Sequence, residues 1–194
     1  MGTYEDGPVR KLAAALATEG VPEETAERIL EGGDQIDRTT SREARGLWIG
    51  EACRRMDTLL DARTAHAARE RCACCLGGKR LQVSRGIARD HETLEERLHA
   101  CNEAKFVFGH SVTRAADGDV LVAFYPEGQA QYRCSCLRKT NERLPITYCY
   151  CCGGHVKHHL QKALGRKVEL VEVRSSALSS GGTQPCTFLL RMAE

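Results

Sequence analysis

With 194 residues, 42% of them hydrophobic and 28% charged, the chain is long enough for one compact domain with an appended segment and a core that needs no disulfide staples. A formal net charge of +2 without a run of five like charges excludes the basic groove of a nucleic-acid binder and a patch for anionic lipid. No stretch approaches eighteen apolar residues and residues 1–10 lack an apolar h-region, so a cytoplasmic protein with no membrane partner is expected, its eleven cysteines kept as thiols by reducing surroundings.

The first third reads as helical. Residues 8–18 close at Gly20, residues 22–31 open on Pro22-Glu23-Glu24 and stop at Gly32-Gly33, and a longer helix starts after Thr40 or Ser41. In that third helix Trp48, Ala52, Met56, Leu59 and Ala62 form one apolar stripe opposite Arg54, Asp57 and Asp61, the pattern of a core-facing helix. Two further helices are predicted over residues 79–89 and 93–104. Thr93 with Glu96 three residues on makes a capping box for the second, and Leu94, Leu98 and Cys101 share its packed face.

Beyond Lys105 the period changes from helix to strand. Residues 106–112 and 120–125 flank Asp117-Gly118, a hairpin signal, and a loop carrying Cys134 and Cys136 follows. A short strand over 146–150, a helix over 156–164 ended by Gly165, an alternating strand over 168–173 and a last strand over 186–190 complete the pattern. The expected fold is α+β, with N-terminal helices over residues 1–70 and a cysteine-rich domain over 71–194 built on a mostly antiparallel sheet with packed helices.

Chemistry is concentrated in two near-copies of one motif, Cys72-Ala-Cys74-Cys75-Leu-Gly77-Gly78-Lys79 and Cys149-Tyr-Cys151-Cys152-Gly153-Gly154-His155, with Cys134-Ser-Cys136 between them. Eight cysteines in three clusters exceed the four ligands of a structural zinc. Thiolates are soft ligands, so a metal centre is expected: zinc first, an iron-sulfur cluster second and copper(I) third. If Cys149 to Cys151 is extended, Cys149 and Cys151 project from one face; if a helix begins near Gly153, His155 and His159 stack one turn apart with His158 beside them. Adjacent side chains diverge, so one member of Cys74-Cys75 and of Cys151-Cys152 should be secondary. C-x-C-C is not the spacing of a zinc ribbon, and packed or reactive thiols without metal remain the alternative. His110, mid-strand after Gly109, and His155 are the candidate proton relays. His66, His91 and His99 lie on polar helix faces and receive no role.

Residues 149–191, a cysteine-led helix, a strand with Glu172 and then Gly182-Thr-Gln-Pro-Cys186-Thr-Phe188, resemble the tail of the 4-vinyl reductase domain family and of the 2-amino-thiazoline-4-carboxylate hydrolase-like proteins. The resemblance implies a ligand-binding fold like that of vesicle-transport-particle subunits and adds Cys152 and Cys186 as ligand candidates. Where the vinyl-reductase pattern places a cysteine after the strand glutamate, this chain has Ser175. The whole chain also looks like a bacterial cysteine-rich family.

Three functions follow. The first is a metal-binding protein that holds a small molecule at a centre drawn from Cys72, Cys74, Cys75, Cys134, Cys136, Cys149, Cys151, Cys152, His155 and Cys186. The second is a metal-dependent enzyme acting on a small sulfur- or nitrogen-containing metabolite, by hydrolysis of a carbon-nitrogen double bond or by iron-sulfur redox chemistry. The third is a thiol-rich redox or metal store. The apolar N-terminal helices would serve a homodimer as readily as a monomer.

Overall fold

A computed structural model describes residues 4–115, 117–140 and 142–193; Met1, Gly2 and Thr3, part of the stretch read as lacking an h-region, lie outside them. Helices α1 (Gly7–Thr18), α2 (Glu23–Ile29), α3 (Arg42–Leu59), α4 (Ala62–Arg71), α5 (Gly78–Asp90), α6 (Leu94–Glu103) and α7 (Lys105–Phe108) lead into the hairpin β1 (Ser111–Arg114) and β2 (Val120–Ala123). A loop and a 3-10 turn, Ile146–Cys149, then enter α8 (Tyr150–Leu164), followed by β3 (Val168–Ser175) and β4 (Thr187–Met192). The sheet is antiparallel with order β1-β2-β4-β3, and the pairing of β3 with β4 shifts register between Leu170 and Glu172 and between Val173 and Ser175. The α+β class is the one read from sequence. Among the described residues no helix is long and apolar enough to cross a membrane.

Capping side chains set the helix starts. Asp6 accepts from the Val9 amide at 3.3 Å and, itself buried, is paired with Arg45 at 2.7 Å, tying the start of α1 to α3. The single long helix expected to carry the Trp48 to Ala62 stripe is interrupted: Leu60 is extended and Asp61 begins α4 by accepting from the Thr64 amide at 3.0 Å. An Asx cap competes with helix continuation, and here it wins. The Thr93–Glu96 capping box forms as predicted.

Two strand predictions and one helix start need correction. Residues 105–108 are helical rather than extended, because the chain turns at Gly109, whose φ of +84° suits a residue without Cβ; an added Cβ would lie 2.7 Å from Phe124 Cα. The segment Ile146–Cys149 is a 3-10 turn, not a strand. Helix α8 begins at Tyr150 rather than near Gly153 or Val156, so the second thiol motif occupies the first turn of a helix.

Helix α8 is the centre of the core. Val156, Leu160, Ala163 and Leu164 are fully buried, and α8 packs against α4, α5 and β3. The close approach depends on two glycines. A Cβ on Gly154 would sit 2.4 Å from the Glu70 carbonyl oxygen on α4, and one on Gly153 would sit 2.4 Å from a methyl of Leu170 on β3. Gly154 faces backbone, which cannot swing away as a side chain can. Cys101, on α6, is fully enclosed in the same core, and burial pushes its thiol up to about 12.

Two outcomes follow from this packing. Gly154→Ala should lower the unfolding free energy by about 1–3 kcal/mol, whereas Gly86→Ala in α5, where the added Cβ meets nothing closer than 3.8 Å, should raise it by about 0.5–1 kcal/mol; urea unfolding measures both. The native Cys101 keeps a proton that the unfolded chain releases near the ordinary value of 9.0. Its contribution to stability is therefore full below about pH 9 and lost as pH rises toward 12, and Cys101→Ala should make unfolding free energy less dependent on pH in that window.

Candidate functional site

Four stretches of chain meet where α8 begins. The entry to α8 brings Cys149 at its N-cap and Cys151 and Cys152 in its first turn; the loop after β2 brings Cys134 and Cys136; the residue before β4 is Cys186; and the loop between α4 and α5 brings Cys74 and Cys75. All eight sulfur-bearing residues, with His155 one turn further along α8, line one cavity of about 270 Å³. Its remaining walls are largely apolar, formed by Val107, Phe124, Tyr125, Tyr148, Leu178 and Phe188, while Arg80, Lys105 and Phe106 are also in its lining.

Each stretch is held by its own hydrogen bonds. The Cys134–Cys136 loop is fixed by the Tyr125 hydroxyl, which donates to the Arg133 carbonyl at 2.7 Å, and by the Tyr132 amide, which donates to the Gly182 carbonyl at 2.8 Å. Within it the Cys136 amide donates to the Cys134 sulfur at 3.3 Å, and near β4 the Ala177 amide donates to the Cys186 sulfur at 3.5 Å. Amide donors of this kind favour the thiolate.

The mouth loop is anchored from α8. His155 donates from Nδ1 to the Cys74 carbonyl at 3.1 Å, and His159 donates from Nε2 to the Cys75 carbonyl at 3.0 Å, with the Ser84 hydroxyl 3.0 Å from its Nδ1. Lys11 of α1 also donates to the Ala73 carbonyl. His159 is fully buried, and burial lowers its pKa to about 4, so it is neutral with the proton on Nε2 and accepts the Ser84 O–H at Nδ1. Cys75 sits at φ 59°, the one non-glycine at positive φ among the described residues. Such a conformation persists only where its surroundings over-determine it, which the His159 clamp does.

The thiols differ in character. Hydrogen bonding from Cys134, then from Cys152, pulls the Cys136 thiol down, and those two partners are correspondingly raised. The Cys151 thiol is lowered by Cys152 and then by the charge of Arg69. Burial raises Cys149, Cys186 and Cys74. The site therefore favours a few ionised sulfurs supported by protonated neighbours rather than a row of equivalent thiols.

Arg69 was missed by sequence reasoning, since an arginine on a helix rich in Ala and Arg carries no signal of burial. It is 5% exposed, donates from Nη2 to the Tyr148 carbonyl at 3.1 Å and lies 5.2 Å over the Tyr148 ring. Its Nε has no hydrogen-bond partner among the described residues, and its electrostatic neighbours are the thiols of Cys151, Cys53 and Cys72 rather than a carboxylate. A buried cation needs a counter-charge, and here thiolate sulfur is the group in reach.

Two expected site residues stand apart. Cys72 ends α4 and is buried, with its thiol donating to the Ala68 carbonyl at 3.3 Å; it is not in the cavity lining. His110 is an exposed bend residue between α7 and β1, not a mid-strand one, and it too is absent from the lining. The extended geometry for Cys149 to Cys151 is replaced by a helical turn, which puts Cys149 and Cys152 three residues apart on one face. The expected placement one turn apart holds, with the rings meeting edge to face: the His155 and His159 ring centroids are 4.5 Å apart, and His158 lies 5.1 Å from His159. Among the described residues no group of three or more His, Cys, Asp or Glu is already arranged to hold a metal ion.

Residues 11–188 match the family of unknown function DUF6144, and the chain belongs to that family. The matched span includes every residue of the cavity lining. No curated protein and no solved structure matches the chain, and nothing among these comparisons links residues 149–191 to the 4-vinyl reductase family.

Replacing His159 by Leu removes the clamp at similar volume and leaves the Cys75 carbonyl and the Ser84 hydroxyl without it. A loss of about 1–3 kcal/mol in unfolding free energy is expected, with faster amide exchange across residues 72–78; exchange no faster than in the parent protein would show that the loop is held by other contacts.

Proposed function

We propose that this chain is a metal-binding protein that uses thiolate ligands to hold a soft metal ion, and that the cavity above the metal receives a small molecule. Zinc is the preferred metal, with an iron-sulfur cluster the alternative. The observation that carries the reading is the convergence of sulfurs from three sequence-distant stretches on one cavity: Cys74, Cys134 with Cys136, and Cys151 with Cys152. Core packing alone would scatter cysteines as small hydrophobes, as it does Cys53 and Cys101, each fully enclosed and pushed up to about 12 by burial.

Cys134, Cys136 and Cys152 are the first ligands, with Cys74 or His155 completing four. Binding would replace the thiol protons of these residues by metal-sulfur bonds, with the protons released to solvent. Arg69, behind Cys151, offsets part of the negative charge that several thiolates bring. The likeness of residues 149–191 to the cysteine-bearing tail of vinyl-reductase domains is in keeping with Cys152 and Cys186 as ligands.

The open, apolar-walled volume beside the sulfurs favours a second reading, in which the metal keeps an open position and the protein is an enzyme. His155, lining that volume, would then relay protons in attack on a small sulfur- or nitrogen-containing metabolite.

Protein purified without oxygen is expected to carry about one equivalent of metal by mass spectrometry. Cys136→Ser and Cys152→Ser should deplete it, and Cys101→Ala should not. Broad visible absorption identifies an iron-sulfur cluster, and a colourless loaded sample excludes one, the mass of the bound metal then separating zinc from copper(I). Trace metal in the parent protein, with no uptake of zinc or iron on reconstitution, would overturn the metal reading.

A further inference from the structure

Resting on the reading of the cavity as a small-molecule site, we infer that its ligand is a small organic anion, one carboxylate-like group on a flat apolar body, bound with the anion at the Arg80 side of the mouth and the body toward the sulfurs. The lining contains two charged side chains, Arg80 and Lys105, and no aspartate or glutamate. Both are cationic, so a carboxylate-like group finds partners at that end of the cavity.

The mouth is built around an exposed aromatic ring. Phe106 is 55% exposed, an unusual position for a large apolar side chain with no cover. The Arg80 guanidinium lies 4.3 Å over its centroid and the Lys79 ammonium 5.9 Å from it. A guanidinium has five N–H donors in a fork that matches a carboxylate, and a contact with a ring face consumes none of them by hydrogen bonding to oxygen. Among the described residues neither Arg80, Lys79 nor Lys105 forms an ion pair with a carboxylate. Lys105 donates to the His110 carbonyl, which spends one of its three N–H donors and holds the ammonium beside the opening.

Polarity along the cavity fixes the orientation. Cys134, Cys149, Cys151 and Cys186 are buried, while Cys74, Cys75, Lys105 and Phe106 are exposed, so sulfur forms the floor and cationic side chains lie toward the opening. No basic side chain lies among the buried lining residues, whereas at the mouth an anion meets Arg80 and Lys105. Between the two ends the half-buried Phe124 offers apolar contact, its ring tilted against the fully buried Phe188 with centroids 4.9 Å apart. A volume of about 270 Å³ suits one small molecule and is too little for a chain of phosphates with a base attached.

The test titrates 1-naphthoate and its uncharged counterpart 1-naphthamide into the reduced full chain by calorimetry. Naphthoate should bind about tenfold more tightly than naphthamide. In Arg80→Gln that preference should vanish, through loss of naphthoate affinity with naphthamide held within about twofold, and Phe124→Ala should weaken both probes. Equal affinity of the two probes for the parent protein, or an equal loss of both in Arg80→Gln, would overturn the inference. Absence of binding by either probe, with metal content intact, would remove the small-molecule half of the functional reading and this inference with it. Selective naphthoate binding by a protein that holds no metal would uphold the inference while the metal reading alone falls.

Discussion

Contact between the start of α8 and its neighbours is the constraint on which the rest of the molecule rests. Gly153 and Gly154 let the helix lie against β3 on one side and the α4 backbone on the other, closer than any residue with a Cβ permits. That approach puts the helix's first turn at the meeting point of loops from both halves of the chain. The thiols of this turn are therefore placed by core packing, and the cavity is a consequence of how the core closes. A pair of glycines that reads in sequence as a helix start is in the structure the condition for building the site.

Much of this was legible from local signals. Caps at Ser41 and Thr93, the Asp117-Gly118 hairpin and the alternation after Val168 are carried by neighbouring residues, and the structure contains each of them. The sulfur clusters were visible as candidates because three thiols within four residues are rare by chance. What failed depended on tertiary contact. Residues 105–108 and 146–149 are apolar and short, and such runs do not distinguish a strand from a helical turn until their surroundings decide. His110 lost its expected place for the same reason: once residues 105–108 turn helical, the strand starts at Ser111 and His110 becomes an exposed corner.

Arg69 and Arg80 show the limit most plainly. Both are helical arginines in polar surroundings of sequence, yet one is enclosed among thiols and the other lies over an aromatic ring at the cavity mouth. The two cations bracket the sulfurs from behind and from the rim. Thiolate chemistry in a buried setting needs such support, because desolvation on its own drives every sulfur toward the protonated form. Arg69 offsets that penalty at Cys151 without an opposing carboxylate to neutralise it.

The irregular pairing of β3 with β4 bears on how the molecule meets others. Among the described residues β3 ends the sheet, with a strand paired along one side alone and the other open in principle to a strand from another chain. Two register shifts bend it, Lys167 is paired with Glu169 along its margin, and Arg174 is paired with Glu172. A bent, charge-lined border is a poor template for continuing a ladder, so self-association by edge-to-edge sheet growth is disfavoured at this side of the fold.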